Sequence, residues 1–174
     1  MHVFVGLLRA VNVGGAGKLP MADLRKLCEK AGLRNVQTYI QSGNIVFKTS
    51  LSEAKAQAAI ERLLSVKLGK PGKVMLRTRV ELDTLLRQNP FMKAAPNRVL
   101  VIFLDKAAPS RALDGLETPG GEEVALRGRD VYVHYPNGMG KSKLKLPLVK
   151  LGTGRNLNTV AKLVSMAQAL ENAT

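Results

Sequence analysis

The sequence predicts an α+β protein built of two ferredoxin-like halves, of which the second lacks its last strand. In residues 1–79, segments with strand and helix periodicity follow the order β-α-β-β-α-β, which is that of a ferredoxin-like unit. The pattern then restarts, since residues 97–174 give β-α-β-β, a basic loop and a helix. Because 174 residues correspond to roughly one domain of ~150 residues, we expect one compact unit, its halves joined by a helix and loop over 80–96.

Each element at the start of the first half has its own local signal. Residues 2–8 alternate as a strand does, and a glycine-rich loop over 12–18 leads into a helix with Pro20 in its first turn. Two β-rich runs within 36–48 flank Ser42-Gly43, whose turn chemistry predicts a hairpin.

Two capping boxes mark the helices that follow. Ser50-x-x-Glu53 predicts the start of the second helix, and Val74–Thr78 follows that helix as the fourth strand. Thr78-x-x-Glu81 then predicts the start of the linking helix.

The second half is predicted in the same way. We expect a strand over 98–104, a short helix over 109–116, a hairpin formed by 123–127 and 130–135, and a final helix over 159–170. The basic segment before the final helix has no strand periodicity, so no fourth strand is predicted there.

Composition limits the classes of function. A single cysteine excludes an internal disulfide framework, and two histidines without a ligand cluster predict neither a metal site nor a cofactor. No apolar stretch approaches the ~20 residues that span a membrane, and the first residues lack the features of a signal peptide. We therefore expect a bacterial-type cytoplasmic protein without a membrane partner. The oligomeric state is not predicted.

The net charge of +14 is spread unevenly along the chain, and one stretch near the C-terminal end is basic throughout. Such a stretch attracts anions and can neutralise phosphates, although high basicity can also serve solubility alone. Between Asp130 and Glu171 there is no acidic residue, but six basic ones: Lys141, Lys143, Lys145, Lys150, Arg155 and Lys162.

Familiar phosphate and RNA motifs are excluded. Gly17-Lys18 and Gly140-Lys141-Ser142 both lack the first glycine of a P-loop, so the backbone could not wrap phosphates as in an NTPase. The third strand, Asn44–Lys48, lacks the aromatic pattern with which an RNA-recognition motif stacks bases.

The sequence also contains few residues in a pattern typical of a catalytic site. His2 and His134 fall on predicted strands without an acidic partner at a suitable spacing, and the hydroxyls of Ser42 and Ser142 have no base nearby in sequence. An enzyme is therefore not favoured, and no catalytic residue is assigned.

Two clusters of polar loop residues are the candidate sites for an anion. In a ferredoxin-like unit the end of strand 1, the N-terminus of the first helix and the hairpin turn share one edge, and helix N-termini attract anions. The first predicted cluster is Arg9, Asn12, Lys18, Gln41, Ser42 and Asn44. The same geometry in the second half predicts Lys141, Ser142, Lys143, Arg155 and Asn156. The alternative is that these residues only form turns, and that Asn156 or Asn158 caps the last helix.

Five long motifs resemble one bacterial family, catalogued as domain of unknown function 1697. The resemblance implies a small α+β protein of ferredoxin-like halves, and it implies no established activity, cofactor or catalytic residue. The motifs are LLRAVNVGG (7–15), KLPM (18–21), TYIQSGNIVF (38–47), GRDVYVHYPNGMGKSKL (128–144) and RNLNTVAKL (155–163).

These observations favour binding of a phosphate-bearing partner, either nucleic acid or a nucleotide, by the two basic loop clusters. One alternative is an enzyme that acts on a small anionic metabolite, with the same cations orienting the anion. Another is a non-catalytic interaction module in which the loops only turn the chain.

Overall fold

The structure is a computed structural model that describes residues 1–9, 19–40 and 43–173. Within these residues the chain forms two four-stranded sheets and four α-helices. Short 3-10 turns occur at Pro96–Arg98, Met139–Lys141 and Pro147–Leu151. In chain order the main elements are β1 (His2–Leu8), α1 (Met21–Lys30), β2 (Arg34–Tyr39), β3 (Asn44–Thr49), α2 (Glu53–Leu68), β4 (Val74–Arg77), α3 (Arg79–Arg87), β5 (Val99–Leu104), β6 (Glu123–Arg127), β7 (Asp130–His134), β8 (Gly152–Asn156) and α4 (Leu157–Asn172).

The first sheet confirms the predicted ferredoxin-like unit. Its strand order is β2-β3-β1-β4, and every neighbouring pair is antiparallel. Helices α1 and α2 cover one face, where Leu24 and Cys28 of α1 and Ile60 and Leu64 of α2 share a core with Phe47 of β3. The apolar spacing that predicts each helix is thus the spacing that fills this core.

The two capping predictions have different outcomes. Thr78 and Glu81 form the predicted box: the Thr78 N–H donates to Glu81 Oε2 at 2.7 Å, and the Glu81 N–H donates to Thr78 Oγ1 at 3.2 Å. The cap of α2 is Ser52 instead of Ser50, since Ser52 Oγ accepts from the Lys55 N–H at 3.4 Å. Either serine satisfies the preference for a small hydroxyl side chain, so only the backbone turn decides between them.

The second sheet has all four strands, which corrects the prediction that the last strand of the second half is missing. The second sheet has the order β6-β7-β5-β8, the same order as the first, and β8 pairs with β5 along its whole length. The sequence of β8 is Gly-Thr-Gly-Arg-Asn, without a single apolar side chain. Strand periodicity could not reveal β8, because its pairing rests on backbone hydrogen bonds and close approach.

Two helix predictions in the second half also change. The segment predicted as a helix over 109–116 forms successive turns instead, in which each N–H bonds the carbonyl three residues back, as in Ala112 to Pro109 and Leu116 to Leu113. The last helix exists, but it follows a fourth strand and begins at Leu157, two residues before the predicted start.

The two fourth strands carry a buried arginine at the same register position. Arg77 lies opposite Val5 of β1, and Arg155 lies opposite Val101 of β5. Both arginines are almost inaccessible, at 1% and 6% exposure. The shared strand order and register support the duplication that the order of the elements predicts.

The chain folds into two compact units. One comprises Met1–Asp83 and the chain from Lys162 onward, and the other comprises Thr84–Ala161. The end of α4 therefore belongs with the first sheet's unit, where Arg79 Nε lies 2.6 Å from Glu171 Oε2. The sequence pattern, by contrast, assigns everything after residue 97 to the second half. No helix within the described residues is long and apolar enough to cross a membrane.

Candidate functional site

The first predicted cluster is described only in part. Asn12, Lys18, Gln41 and Ser42 lie outside the described residues, as does the loop over 12–18.

Two members of that cluster are described, Arg9 and Asn44. The N–H of Arg9 donates to the Lys73 carbonyl oxygen at 2.9 Å, which continues the pairing of β1 with β4. Asn44 is completely buried, and its side-chain amide donates to the Tyr39 carbonyl oxygen at 2.9 Å. The described contact of Asn44 thus ties the ends of β2 and β3 together.

The second cluster gathers at one edge of the second sheet. Glu123 of β6 pairs with His134 of β7, His134 pairs with Val99 of β5, and Asn156 of β8 pairs with Leu100. β6 and β5 therefore begin where β7 and β8 end. We call this side of the sheet the β7-end edge. Residues 137–143 follow β7 there, so the fold brings them to the same edge as Arg155 and Asn156.

Arg155 and Asn156 nevertheless serve internal structure. The Arg155 guanidinium donates to Thr153 Oγ1 at 2.6 Å and to the Gly154 carbonyl oxygen at 2.8 Å, and burial lowers the pKa of Arg155 to about 10. Asn156 Oδ1 accepts from the Thr159 N–H at 3.0 Å, so it caps α4. These contacts agree with the capping alternative for Asn156.

The lysines of the cluster form an exposed row that we call the lysine ridge (Lys141, Lys143, Lys145 and Lys150). Residues 142–146 are extended and irregular, and side chains alternate along them as along a strand. Leu144 and Leu146 turn into the core beneath the second sheet, while the lysines between them are exposed. In the described part of the chain, no ridge lysine has a hydrogen-bond or ion-pair partner.

Ser142 anchors the start of the ridge through Glu122, a residue that the sequence analysis missed. The Ser142 hydroxyl donates to Glu122 Oε1 at 2.6 Å, and the Gly120 N–H donates to Glu122 Oε2 at 2.8 Å. Glu122 is 5% exposed, and the Ser142 hydrogen bond foremost lowers its pKa. A Cβ at Gly120 would lie 2.7 Å from Glu122 Oε1, so a larger residue there would force the Glu122 carboxylate to shift. The run Gly120-Gly121-Glu122-Glu123 was the available sequence signal.

The recess beside this anchor is too small for an organic ligand. It measures about 30 Å³ and lies between Gly120, Glu122, Tyr135 and Ser142. Organic ligands occupy pockets of roughly 300–1,000 Å³, whereas one water needs about 10–15 Å³. The Glu122–Ser142 contact therefore positions the chain at the start of the lysine ridge.

A larger recess of about 340 Å³ lies at the same edge and was also missed in the sequence. His134 Nδ1 lies 3.3 Å from Glu123 Oε1, and the His134 and Phe91 rings are 5.6 Å apart between centroids. Lys93 and Met92 complete its wall. Glu123 and His134 lie opposite each other in the predicted hairpin, whereas only the fold brings Phe91, 43 positions from His134, beside them. No group of three metal-ligating side chains occurs among the residues that the structure describes.

A family model for proteins of unknown function, DUF1697, matches residues 1–132. The chain belongs to the DUF1697 family. This confirms the resemblance seen in the motifs. The match includes Arg9, Asn44 and the larger recess's Phe91 and Glu123, and it ends before His134 and the lysine ridge. A search of curated proteins finds no match.

A solved structure supports the fold of this DUF1697 protein. The conserved bacterial protein SP0830 from Streptococcus pneumoniae is 25% identical, with a TM-score of 0.79. The alignment covers 95% of this chain and 98% of SP0830. The mixed α/β architecture with two ferredoxin-like halves is therefore shared along nearly the whole chain.

Proposed function

We propose that this protein binds nucleic acid through the lysine ridge. The observation that carries the proposal is the exposure of four lysines without described ionic partners along one short segment, Lys141 to Lys150. Each lysine that meets a phosphate releases condensed counterions, which favours association independently of base sequence.

The geometry favours a chain of phosphates over one small anion. The ridge lysines alternate with core leucines, and the recess at the start of the ridge is too small for a nucleotide. Residues two apart in extended chain are separated by about 6.6 Å, so Lys141, Lys143 and Lys145 present three separate charges instead of one focused pocket. A linear polyanion can meet all three at once, whereas a single phosphate cannot.

The ridge is also held in place before any ligand arrives. Ser142 bonds Glu122, the Leu144 N–H donates to Ser142 Oγ at 3.1 Å, and Leu146 is buried. The segment that carries the lysines therefore loses little backbone entropy on binding, which leaves more of the electrostatic gain for affinity.

The test is fluorescence anisotropy of labelled single-stranded DNA, RNA and duplex DNA at 50, 100 and 200 mM salt. Four phosphate contacts should lower affinity about 50- to 150-fold between 50 and 200 mM. The triple variant K141A/K143A/K145A should weaken binding and reduce the slope of log K against log salt by about 2 for single strands and about 3 for duplex.

A matched control separates the ridge from bulk charge. K55A/K67A/K70A removes three exposed lysines on and after α2, so it has the same net charge as the ridge variant. It should retain nearly wild-type affinity and salt slope. Equal losses in the two variants would show that net charge alone causes the association.

A further inference from the structure

The recess lined by Phe91, Lys93, Glu123 and His134 combines an aromatic wall with two exposed charges of opposite sign. Lys93 is exposed, and the Glu123 side chain is 63% exposed. The volume of about 340 Å³ lies at the lower end of the range for small-molecule sites, roughly 300–1,000 Å³. Its size therefore suits one planar heterocycle, with room for an attached group to extend past the rim.

The aromatic wall is rigidly built. The Phe91 N–H donates to Asn89 Oδ1 at 2.9 Å, and the Ala94 N–H donates to the Phe91 carbonyl oxygen at 3.0 Å. Asn89 is itself buried. These bonds fix the turn that carries Phe91, so its partly exposed ring is in place before a ligand binds.

His134 and Glu123 form the polar side of the recess. The pair lies directly across the β6–β7 ladder, and His134 Nδ1 is 3.3 Å from Glu123 Oε1. Within the described residues, His134 Nε2 and Glu123 Oε2 have no protein partner. The His134 and Phe91 centroids are 5.6 Å apart, which leaves no room for a ring between them. A ligand ring would therefore contact Phe91 from the open side of the recess and would not enter between the two rings.

We propose that this recess binds a nucleobase, which stacks on Phe91, donates from its exocyclic amine to Glu123 and places its phosphate on Lys93. Aromatic and histidine side chains commonly stack unpaired bases, and glutamate accepts from the amine of cytosine. A carboxylate acceptor discriminates against uracil, which presents a carbonyl oxygen in place of that amine. The ligand is then a nucleotide whose base carries an exocyclic amine, either free or within a nucleic acid, and cytosine serves as the probe.

This site goes beyond the proposed function, because it lies on the other face of the second sheet from the lysine ridge. Val124 and Val133 face the core that contains Leu144 and Leu146, whereas their neighbours Glu123 and His134 point to the opposite face. Recess and ridge meet only at the β7-end edge. A free nucleotide needs the recess alone.

The first experiment is titration calorimetry with cytidine 5′-monophosphate, uridine 5′-monophosphate and ribose 5-phosphate. Wild-type protein should bind cytidine monophosphate about 5- to 150-fold more tightly than ribose 5-phosphate, the range that one stacked base supplies. F91L keeps an apolar side chain but removes the ring, so it should abolish this preference, while F91Y should keep it. E123Q should remove the preference for the cytosine over the uracil nucleotide. Urea midpoints verify that each variant is folded.

A second experiment identifies whether the base is free or part of a nucleic acid. It also separates the base site from the proposed nucleic-acid binding by the lysine ridge. Wild-type protein is compared on a cytosine oligonucleotide and an abasic oligonucleotide of equal length. A base preference that F91L removes indicates a base within nucleic acid; a preference seen only with the monophosphate indicates a free nucleotide. Both outcomes support the recess. K141A/K143A/K145A should bind cytidine monophosphate as wild type does, even though it loses polyanion binding. Equal binding of all three small ligands, or a preference unchanged in F91L, would overturn the proposed base site and leave the ridge untouched.

Discussion

The two sheets share a strand order and a register, but they are covered differently. In the first, α1 and α2 cover one face with regularly spaced side chains such as Leu24 and Leu64. In the second, the equivalent face is covered by turns and extended chain that contribute Leu146 and Leu148. The comparison teaches that the sheet defines this fold, whereas its cover can vary. An irregular cover also exposes side chains between its buried ones, and the lysine ridge is such a set.

The largest effect we expect tests whether a helical cover stabilises more than an irregular one. Leu64→Ala in α2 should lower the free energy of unfolding by about 4–5 kcal/mol, and Leu148→Ala in the second cover by about 2–3 kcal/mol. Both leucines are buried, but the chain around Leu148 can collapse into the cavity more readily than packed helices can. Urea denaturation measures both values. A cost at Leu148 equal to that at Leu64 would contradict the comparison.

The next effect concerns β8, the fourth strand of the second sheet, which has two glycines where β4 has none. A Cβ at Gly152 would overlap the Phe103 carbonyl oxygen, whereas a Cβ at Gly154 would meet only the movable Leu100 side chain, at 3.0 Å. Gly152→Ala should therefore destabilise the protein by about 1–3 kcal/mol through overpacking, and Gly154→Ala by less. Thermal unfolding of the two single variants provides the measurement. Equal melting temperatures would mean that β8 does not depend on close approach to β5.

A smaller effect concerns the hydrogen bond between Glu122 and Ser142 at the start of the lysine ridge. The described part of the first half has no counterpart to it. Folding lowers the pKa of Glu122 below its ordinary value of 4.5, so the carboxylate stabilises the native state fully above that value. This contribution should disappear as the pH falls from 4.5 through the lower folded pKa. Glu122→Gln should therefore be less stable than wild type at pH 7, with the difference shrinking as the solution is acidified.

Chemical denaturation at a series of pH values gives this curve, and Glu117→Gln on the same turn region serves as the control for charge alone. A wild-type-minus-variant difference that stays constant down to low pH would refute the role of the Glu122 carboxylate.

The last prediction concerns the reactivity of the Cys28 thiol and not the stability of the protein. Burial in the helical cover raises the pKa of Cys28 to about 12, against 9.0 ordinarily. The thiolate fraction at pH 8 should thus be about 1,000-fold lower in the native protein than in the unfolded chain. A thiol reagent should react rapidly in urea and very slowly without it. Rapid labelling of the native protein would show that the α1 cover opens easily.

Much of the fold was predictable where side chains carry the pattern. The strands of the first sheet, α1, α2, α3 with its Thr78–Glu81 box, and the β6–β7 hairpin all have apolar periodicity or specific cap and turn residues. β8 has neither apolar periodicity nor a specific cap or turn residue. Two of its five residues are glycines, and their close fit against β5 is apparent only in the tertiary structure. The segment over 109–116 has apolar residues at helical spacing but adopts turns.

The candidate site was predictable only in its loop. The run of basic residues and the glycines around residue 140 predicted Lys141, Ser142 and Lys143 as site residues. The Glu122–Ser142 contact was not predictable, because it joins two loop residues that are twenty positions apart. The His134–Glu123 pair follows from the predicted hairpin, but only the fold brings Phe91 beside it. Conversely, Arg155 and Asn156 have the right chemistry for an anion, but the structure directs their described contacts inward.

The sequence by itself determined the class of the fold, the duplication, the family and the basic character of the C-terminal segment, since these depend on local periodicity, motifs and charge. The tertiary structure decided which cations are free to meet a ligand and which polar groups pair across strands. The physical reason is that burial and hydrogen bonding are properties of neighbours in space. Arg155 and Lys143 carry the same charge in the sequence, yet one guanidinium is desolvated inside a sheet and the other cation remains in water.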